Sequence, residues 1–466
     1  MHRTVGARVV AGPRTAQPPM GSPDADRRWD VLLLALAAYV LTAVGRVHQL
    51  FAFLEPLHLV LACAAVAICC YLVDGSRVRR LWPALQDRTT RCVAGLTLWM
   101  ALSVPGALWP GGAFQELVDE FGKIALMYLI LLAGIRGFRD VERLGFTYLV
   151  AVGIYAAVVL NRFSVGEERW RLGALVYYDA NDFATLAVMA LPLGVYFMVR
   201  PRPLWRRLAS AAAVICLAVT FIWAGSRGGF LALLAMGGFL LLRYRAIHIR
   251  WRILTAVLIG LVFAGTASDT YWEKMKTIVQ PKDDYNLTEE EGRIQVWKRG
   301  LGYMAAHPLF GVGAGNFPAA EGTLSPFARA SVLRGVKWSV SHNSYIQVGA
   351  ELGVPGLILF IATLWSAFRA LQGVQGRPTA LGRGERSPPP AQLGQALTAS
   401  LIGYLVGGFF LSLAYRDLLF VLVALAAGMR KAARLALPPP LPLSPLGHSA
   451  PPPHPASRLH GPAWPR

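Results

Sequence analysis

Acidic residues are scarce in this chain: 26 Asp and Glu stand against 46 Lys and Arg, and the four charged types together make up only 15% of it. So little charge over 466 residues excludes an ordinary soluble multidomain protein, in which about a quarter of residues are charged. Cysteine is sparse as well. Cys63, Cys69, Cys70, Cys92 and Cys216 lie in or beside apolar runs, and none falls in an outward loop. Neither a disulfide framework nor a zinc site is therefore supported. An internal repeat of two halves is missing, and so are charges midway along the apolar runs, both of which a transporter or flippase would more typically show. The turn 107–115 lacks any basic residue, and the first outward turn, Gly45–Leu50, holds Arg46 and His48 but no carboxylate.

What is present is apolar. Hydrophobic residues make up 55% of the chain and mean hydropathy is +0.45, which predicts an all-α, polytopic membrane helical bundle. About twelve transmembrane helices are expected, near 31–45, 52–73, 90–107, 117–134, 142–160, 181–199, 208–224, 228–242, 253–268, 343–371, 396–413 and 417–430. Net charge is +20, but its distribution argues against nucleic acid as a partner. Basic clusters recur at alternate turns: Arg77/Arg79/Arg80, Arg136/Arg139/Arg143, Arg200/Arg202/Arg206/Arg207, Arg243/Arg245/Arg250/Arg252, Arg377/Arg383/Arg386 and Arg430/Lys431/Arg434. That alternation is the positive-inside pattern. It places both ends in the cytoplasm and one large polar loop, 269–341, outside. Residues 1–28 read as a disordered cytoplasmic N-terminus without a cleavable signal peptide, with Met20 as an alternative start. Residues 29–436 form the transmembrane domain, and 437–466 a Pro-rich disordered tail.

Candidate functional residues are those the topogenic pattern leaves unexplained. Arg162, Arg169 and Arg171 fall on the outward side, against the positive-inside bias. Asp179 or Asn181 is expected to cap the following helix. Gly225-Ser226-Arg227-Gly228-Gly229 joins two spans tightly and sets Arg227 at a helix N-terminus, where the dipole disfavours a cation unless an anion is near. The flanking glycines would let a bulky ligand approach the backbone. Glu116, Asp119, Glu120 and Lys123 open the fourth span, and the spacing of Asp119 and Lys123 suits a helical ion pair. In the large loop, Thr288-Glu-Glu-Glu291 reads as a capping box for a helix with Ile294, Trp297, Leu301 and Met304 on its apolar stripe. Arg293 sits beside that stripe, and His307-Pro308 ends the helix as a structural feature. Ser341 is expected to cap the tenth span, with His342 in its first turn, where the helix end and nearby arginines favour the neutral imidazole.

The succession Ser226-Arg227-Gly228, Arg293-x-x-x-Trp297, His307-Pro-Leu-Phe-Gly-Val-Gly-x-Gly-Asn316-Phe317, His342-Asn-Ser-Tyr345 and Glu351-Leu-Gly353-x-x-Gly356 resembles the O-antigen ligase family, which also contains O-antigen polymerases and some protein O-glycosylation ligases. The resemblance runs from about Asn161 to Leu371. It implies a GT-C-like membrane fold and an inverting, metal-independent glycosyltransferase without a cofactor. The donor would be an undecaprenyl-pyrophosphate-linked glycan at the outer leaflet of the bacterial inner membrane, with the active site facing the periplasm and the acceptor a lipid A-core sugar. By the family pattern His342 corresponds to the essential histidine, Arg227 and Arg293 to the essential arginines, and Arg171 more loosely to a further one. Polymerase and protein-glycosylation activities stay open, since they differ only in the acceptor. A transporter or flippase would also have about twelve spans and arginines near a lipid phosphate, but would more typically show the repeat and mid-span charges missing here. A non-catalytic scaffold would leave the Arg/His series without a cause.

Overall fold

The computed structural model describes residues 29–51, 53–162, 172, 178–200, 203–280, 289, 292–326, 328, 338–375 and 389–436. The expected disordered ends, 1–28 and 437–466, lie outside the described residues. Among the described residues all regular structure is helical. The first half contains α1 (Val31–Gly45), α2 (Leu59–Val73), α3 (Arg77–Leu85), α4 (Arg88–Ser103), α5 (Pro110–Gln115), α6 (Gly122–Gly134), α7 (Phe138–Arg162), α8 (Ala180–Val199), α9 (Leu204–Ala224), α10 (Arg227–Arg243) and α11 (Ile249–Thr266). The large loop contributes α12 (Asp269–Lys276), α13 (Arg293–Ala306) and α14 (Phe317–Thr323). Then come α15 (Ser344–Gln375), α16 (Pro389–Gly407) and α17 (Asp417–Leu435). A π-helical turn, Glu116–Phe121, joins α5 to α6.

Each of the twelve expected spans falls on a helix, but among the described residues seven helical segments are long and apolar enough on their own to cross a membrane. The others are shorter, interrupted, as α6 is by the π turn, or, like the 19-residue α17, long enough but more charged. Burial sorts them into layers. In α8 and the α16 segment 72% of the apolar window is buried, whereas in α11 none of it is. The first two are central and α11 is peripheral, offering its apolar surface to lipid. Helix α8 packs between α9 and α16, α16 also packs on α10, α1 lies along α7, and α15 runs between α4 and α17.

The charges at the basic ends are neutralised in pairs. Arg136 reaches Asp30 (2.7 Å) and Asp140 (2.9 Å), Arg143 also reaches Asp140 (3.0 Å), and Arg430 pairs with Asp87. At the opposite end Arg46 binds Asp417 at 2.7 Å, and Tyr39 donates to the same carboxylate at 2.8 Å. A buried cation persists when paired in this way or when backbone carbonyls take it, as Leu132 O (2.8 Å) and Ala133 O (2.9 Å) do for Lys431. Asp119 and Lys123 form the expected pair at 3.6 Å, with both side chains more than half exposed, a geometry worth little to stability.

Helix α15 carries the break that shapes the outer face. Gly353 has φ +69 and ψ −170 inside the helix, a combination essentially confined to glycine. The interruption frees carbonyls that a continuous helix would use. Val312 N–H donates to Ala350 O and Gly313 N–H to Glu351 O, both at 2.9 Å, and the Trp99 indole donates to Leu352 O at 3.0 Å. Val354 N–H in turn donates to Pro308 O at 2.8 Å. The glycines of 311–315 and Gly353 are thus two halves of one contact. Asn316 closes it, its amide donating to Trp109 O and Val312 O at 3.1 Å.

Candidate functional site

The outer end of α8 is the anchor. Asp179 caps the helix as expected: its carboxylate accepts from Asn181 N (2.6 Å) and Asp182 N (2.7 Å), and Asp182 returns a bond to Asp179 N at 3.3 Å. This is a capping box built from two acids. Beside it, Gly225 ends α9 with φ +54, and Ser226 caps α10 by accepting from Gly229 N at 3.1 Å. Arg227 is therefore the first residue of α10, as expected. The glycines around it serve protein packing rather than ligand approach. A Cβ on Gly228 would stand 2.8 Å from Phe410 Cβ, and one on Gly229 would stand 2.7 Å from Ala184 Cβ.

Arg227 Nη1 donates to Thr277 Oγ1 at 2.6 Å, which ties the start of α10 to the turn after α12. Arg293 opens α13, capped by the backbone of Gly292. The expected capping box does not start this helix, because α13 begins at Arg293 and Thr288, Glu290 and Glu291 lie outside the described residues. Its buried face also differs from the expected stripe: Val296, Gly300 and Tyr303 face the core, while Leu301 is exposed. The reason is Gly300, which lets α13 close onto Ile346 and Phe317. The charges of Arg293 and of Arg416 both act on Asp182. Two arginines from different segments thus converge on the acidic cap of α8.

Trp297, one turn past Arg293, links α13 to the rest. Its indole donates to Ser341 O at 3.0 Å, and its ring meets Phe409 edge-on at 5.2 Å and Phe410 at 6.4 Å. Ser341 and Ser412 share a hydroxyl bond of 2.8 Å, and His342 N–H donates to Ser412 Oγ at 2.9 Å. Two residues further, Ser344 Oγ donates to Leu411 O (2.7 Å) and accepts from Leu413 N (3.0 Å). Residues 341–344 and 411–413 are in this way zipped together.

The cap of α15 corrects the expectation for His342. Asn343, not Ser341, caps the helix, its Oδ1 accepting from Tyr345 N (2.9 Å) and Ile346 N (3.0 Å). His342 therefore lies outside the first helical turn, with a left-handed φ of +48. Such backbone is uncommon in non-glycine residues, though histidine tolerates it better than most. The Ser412 bond and the Asn343 cap hold it in place on either side.

Arg171 lies outside the described residues. Its neighbour Leu172 is described, and donates to Trp223 O at the outer end of α9 at 2.8 Å. Arg162 has a structural engagement, donating to Leu50 O with its guanidinium over the Phe51 ring at 4.3 Å. Reading the sequence passed over Arg416, Ser412 and the second acid of the α8 cap. Arg416 carried a usable signal: it precedes the last span on the outward side, against the positive-inside pattern, as Arg171 does.

Adjoining Ser341 and Ser412 is an open cleft of ≈ 170 Å³, lined among others by Glu116, Gln347, Glu351, Tyr415 and Arg416. Glu351 is held there by the Gly353 break, with Oε1 accepting from Phe317 N at 3.3 Å. Tyr415 is fully buried, and burial together with the nearby Glu351 and Glu116 carboxylates pushes its hydroxyl well above the usual 10. It stays protonated and can act only as a neutral hydrogen-bonding group.

Residues 212–361 match the family model described as O-Antigen ligase. The matched stretch contains Arg227, Arg293 and His342, so the resemblance seen in the motifs is recovered independently. No match is found among curated proteins.

Proposed function

We propose that this chain is an inverting glycosyltransferase of the O-antigen ligase type. It would move a glycan from undecaprenyl pyrophosphate to an acceptor hydroxyl, that of a lipid A-core sugar, at the outer face of the bacterial inner membrane. The observation that carries the reading is the positive charge at the outer end of α8, where Arg293 and Arg416 both act on Asp182. Two segments matched to the family supply helix-opening arginines, Arg227 and Arg293, and the tie from Trp297 to Ser341 brings His342 to the same face. Twelve crossings, with both ends cytoplasmic and 269–341 outside, put that face in the periplasm.

In this scheme the guanidinium forks of Arg227, Arg293 and Arg171 hold the pyrophosphate, an anion that planar bidentate donors match better than an ammonium. Arg416 adds positive charge at the α8 cap. The acceptor hydroxyl attacks the anomeric carbon, forming the new C–O bond as the bond to the phosphate oxygen breaks with inversion. The departing pyrophosphate carries the negative charge that the arginines stabilise. His342 takes the hydroxyl proton, a contribution of roughly 100- to 10,000-fold. The donor arrives already activated, so no metal or cofactor is required by the scheme.

The test is His342→Gln, which keeps hydrogen-bonding capacity and removes useful basicity. The variant should retain lipid-linked donor and lose transfer by at least about 100-fold; near-normal transfer would reduce His342 to a positioning residue. Arg227→Lys and Arg293→Lys should each be strongly impaired, and full activity in both would remove the pyrophosphate role. Loss of capped lipopolysaccharide with retained lipid-linked polymer in cells lacking the chain marks a ligase. Loss of the polymer itself marks a polymerase, and loss of glycosylated protein a protein O-glycosylation ligase. Accumulation of donor on the cytoplasmic side would mark a flippase.

A further inference from the structure

The cleft beside His342 is lined by groups of both charges, Glu116, Glu351 and Arg416, rather than by cations alone. Its wall carries a carboxylate, a carboxamide and a phenol: Glu351, Gln347 and Tyr415. Glu351 and Tyr415 are only 1% and 3% exposed. Three buried polar atoms there make no hydrogen bond: Glu351 Oε2, Gln347 Oε1 and the Tyr415 hydroxyl. The Tyr415 hydroxyl and the Glu351 carboxylate act on one another without reaching hydrogen-bond geometry. Buried polar groups are nearly always satisfied, so several unsatisfied ones lining one cleft need a cause. Helix geometry is not that cause. The other oxygen of Glu351 has its partner in Phe317 N, so one arm of the carboxylate is fixed and the other is left to face the cleft.

The set has the composition of a carbohydrate site. Two acceptor oxygens and a hydroxyl that both donates and accepts match vicinal sugar hydroxyls, whose O–H groups donate and whose oxygens accept. The cleft opens at Ser341 and Ser412, the residues that bond to one another while Ser412 also accepts from His342 N–H.

We propose that the cleft lined by Glu351, Gln347 and Tyr415 is the acceptor subsite, which binds the hydroxyls of the acceptor sugar and presents one of them to His342. The inference rests on the transferase reading and adds to it the place and chemistry of the second substrate. The three residues are specificity-determining rather than catalytic. The arginine cluster takes the donor, and the carboxylate-lined cleft takes the neutral polyol.

The experiment uses the full chain in lipid nanodiscs, undecaprenyl-pyrophosphate-linked glycan as donor and purified lipid A-core as acceptor. Two rates are read: transfer against acceptor concentration, and release of free glycan to water without acceptor. Tyr415→Phe, Gln347→Leu and Glu351→Gln should each raise the acceptor KM about 10-fold for the hydrogen bond lost. Release to water and the donor KM should stay at the wild-type level, a split that general unfolding cannot produce. Should Glu351→Gln fail to fold, the other two variants carry the test. Wild-type acceptor KM in the folded variants, with wild-type transfer active, would overturn the subsite and leave these groups to bound water. Equal losses in transfer and release would overturn it too, assigning the residues to the donor machinery. Absence of both activities in the wild type would instead refute the transferase reading itself.

Discussion

Gly353→Ala tests the contact on which the outer face is built. A Cβ there would stand 2.4 Å from Leu309 O and 2.5 Å from Pro308 O, where ordinary contact begins at 3.4 Å. These are backbone oxygens, so rotating a side chain cannot relieve the clash, and the 308–313 segment must move. An alanine forced into this backbone region costs about 1–3 kcal/mol. Displacing the segment strains three hydrogen bonds, Val312 N to Ala350 O, Gly313 N to Glu351 O and Val354 N to Pro308 O, each worth roughly 0.5–1.5 kcal/mol. The sum is roughly 2.5–7.5 kcal/mol. Gly302→Ala is the matched control, since Gly302 lies exposed in α13 with nothing within 4 Å of the added Cβ. In a helix interior that change should stabilise by up to about 1 kcal/mol. Thermal unfolding in nanodiscs, followed by a thiol-reactive dye on the native cysteines, should show opposite shifts for the two variants. If Gly353→Ala unfolds at the wild-type temperature, the break in α15 does not hold the loop and the argument for Glu351's placement fails with it.

Arg299→Ala should destabilise the external loop by about 3 kcal/mol or more. It strips the 2.6 Å partner from Glu321, which is 2% exposed, and limited proteolysis of the loop would report it. His48 is buried, and burial with the Arg46 charge holds its imidazole below the ordinary 6.5. The unfolded chain therefore takes up that proton first as pH falls. Stability supplied by His48 is complete above about 6.5 and declines below it, toward the lower folded value. His48→Gln should flatten the fall in unfolding temperature between about pH 6.5 and 5, and an unchanged slope would remove His48 as its source. Cysteines placed at Asp284 and Arg383 should label from opposite membrane faces with an impermeant thiol reagent; labelling from one face would end the topology.

The membrane class and the helices at the twelve expected spans are legible in the sequence because they depend on local hydropathy. Arg227 at the opening of α10 is legible too, because it directly follows the tight Gly225-Ser226 turn. Asp179 as the α8 cap is equally local, since a cap bonds only to residues two and three places on. What the tertiary structure decided are pairings between residues distant in the chain, on which periodicity carries no information. The zip between 341–344 and 411–413, and Gly300 closing α13 onto Ile346 and Phe317, are of this kind. So is the break at Gly353, which lends carbonyls to Val312 and Gly313 some forty residues earlier. The cap of α15 shows why. Ser341 and Asn343 are both competent caps by residue type, and the choice fell to Asn343 because Ser412, from another helix connection, engages the Ser341 hydroxyl. A single chain read in order cannot weigh that competitor, because Ser412 reaches Ser341 only after the bundle has formed.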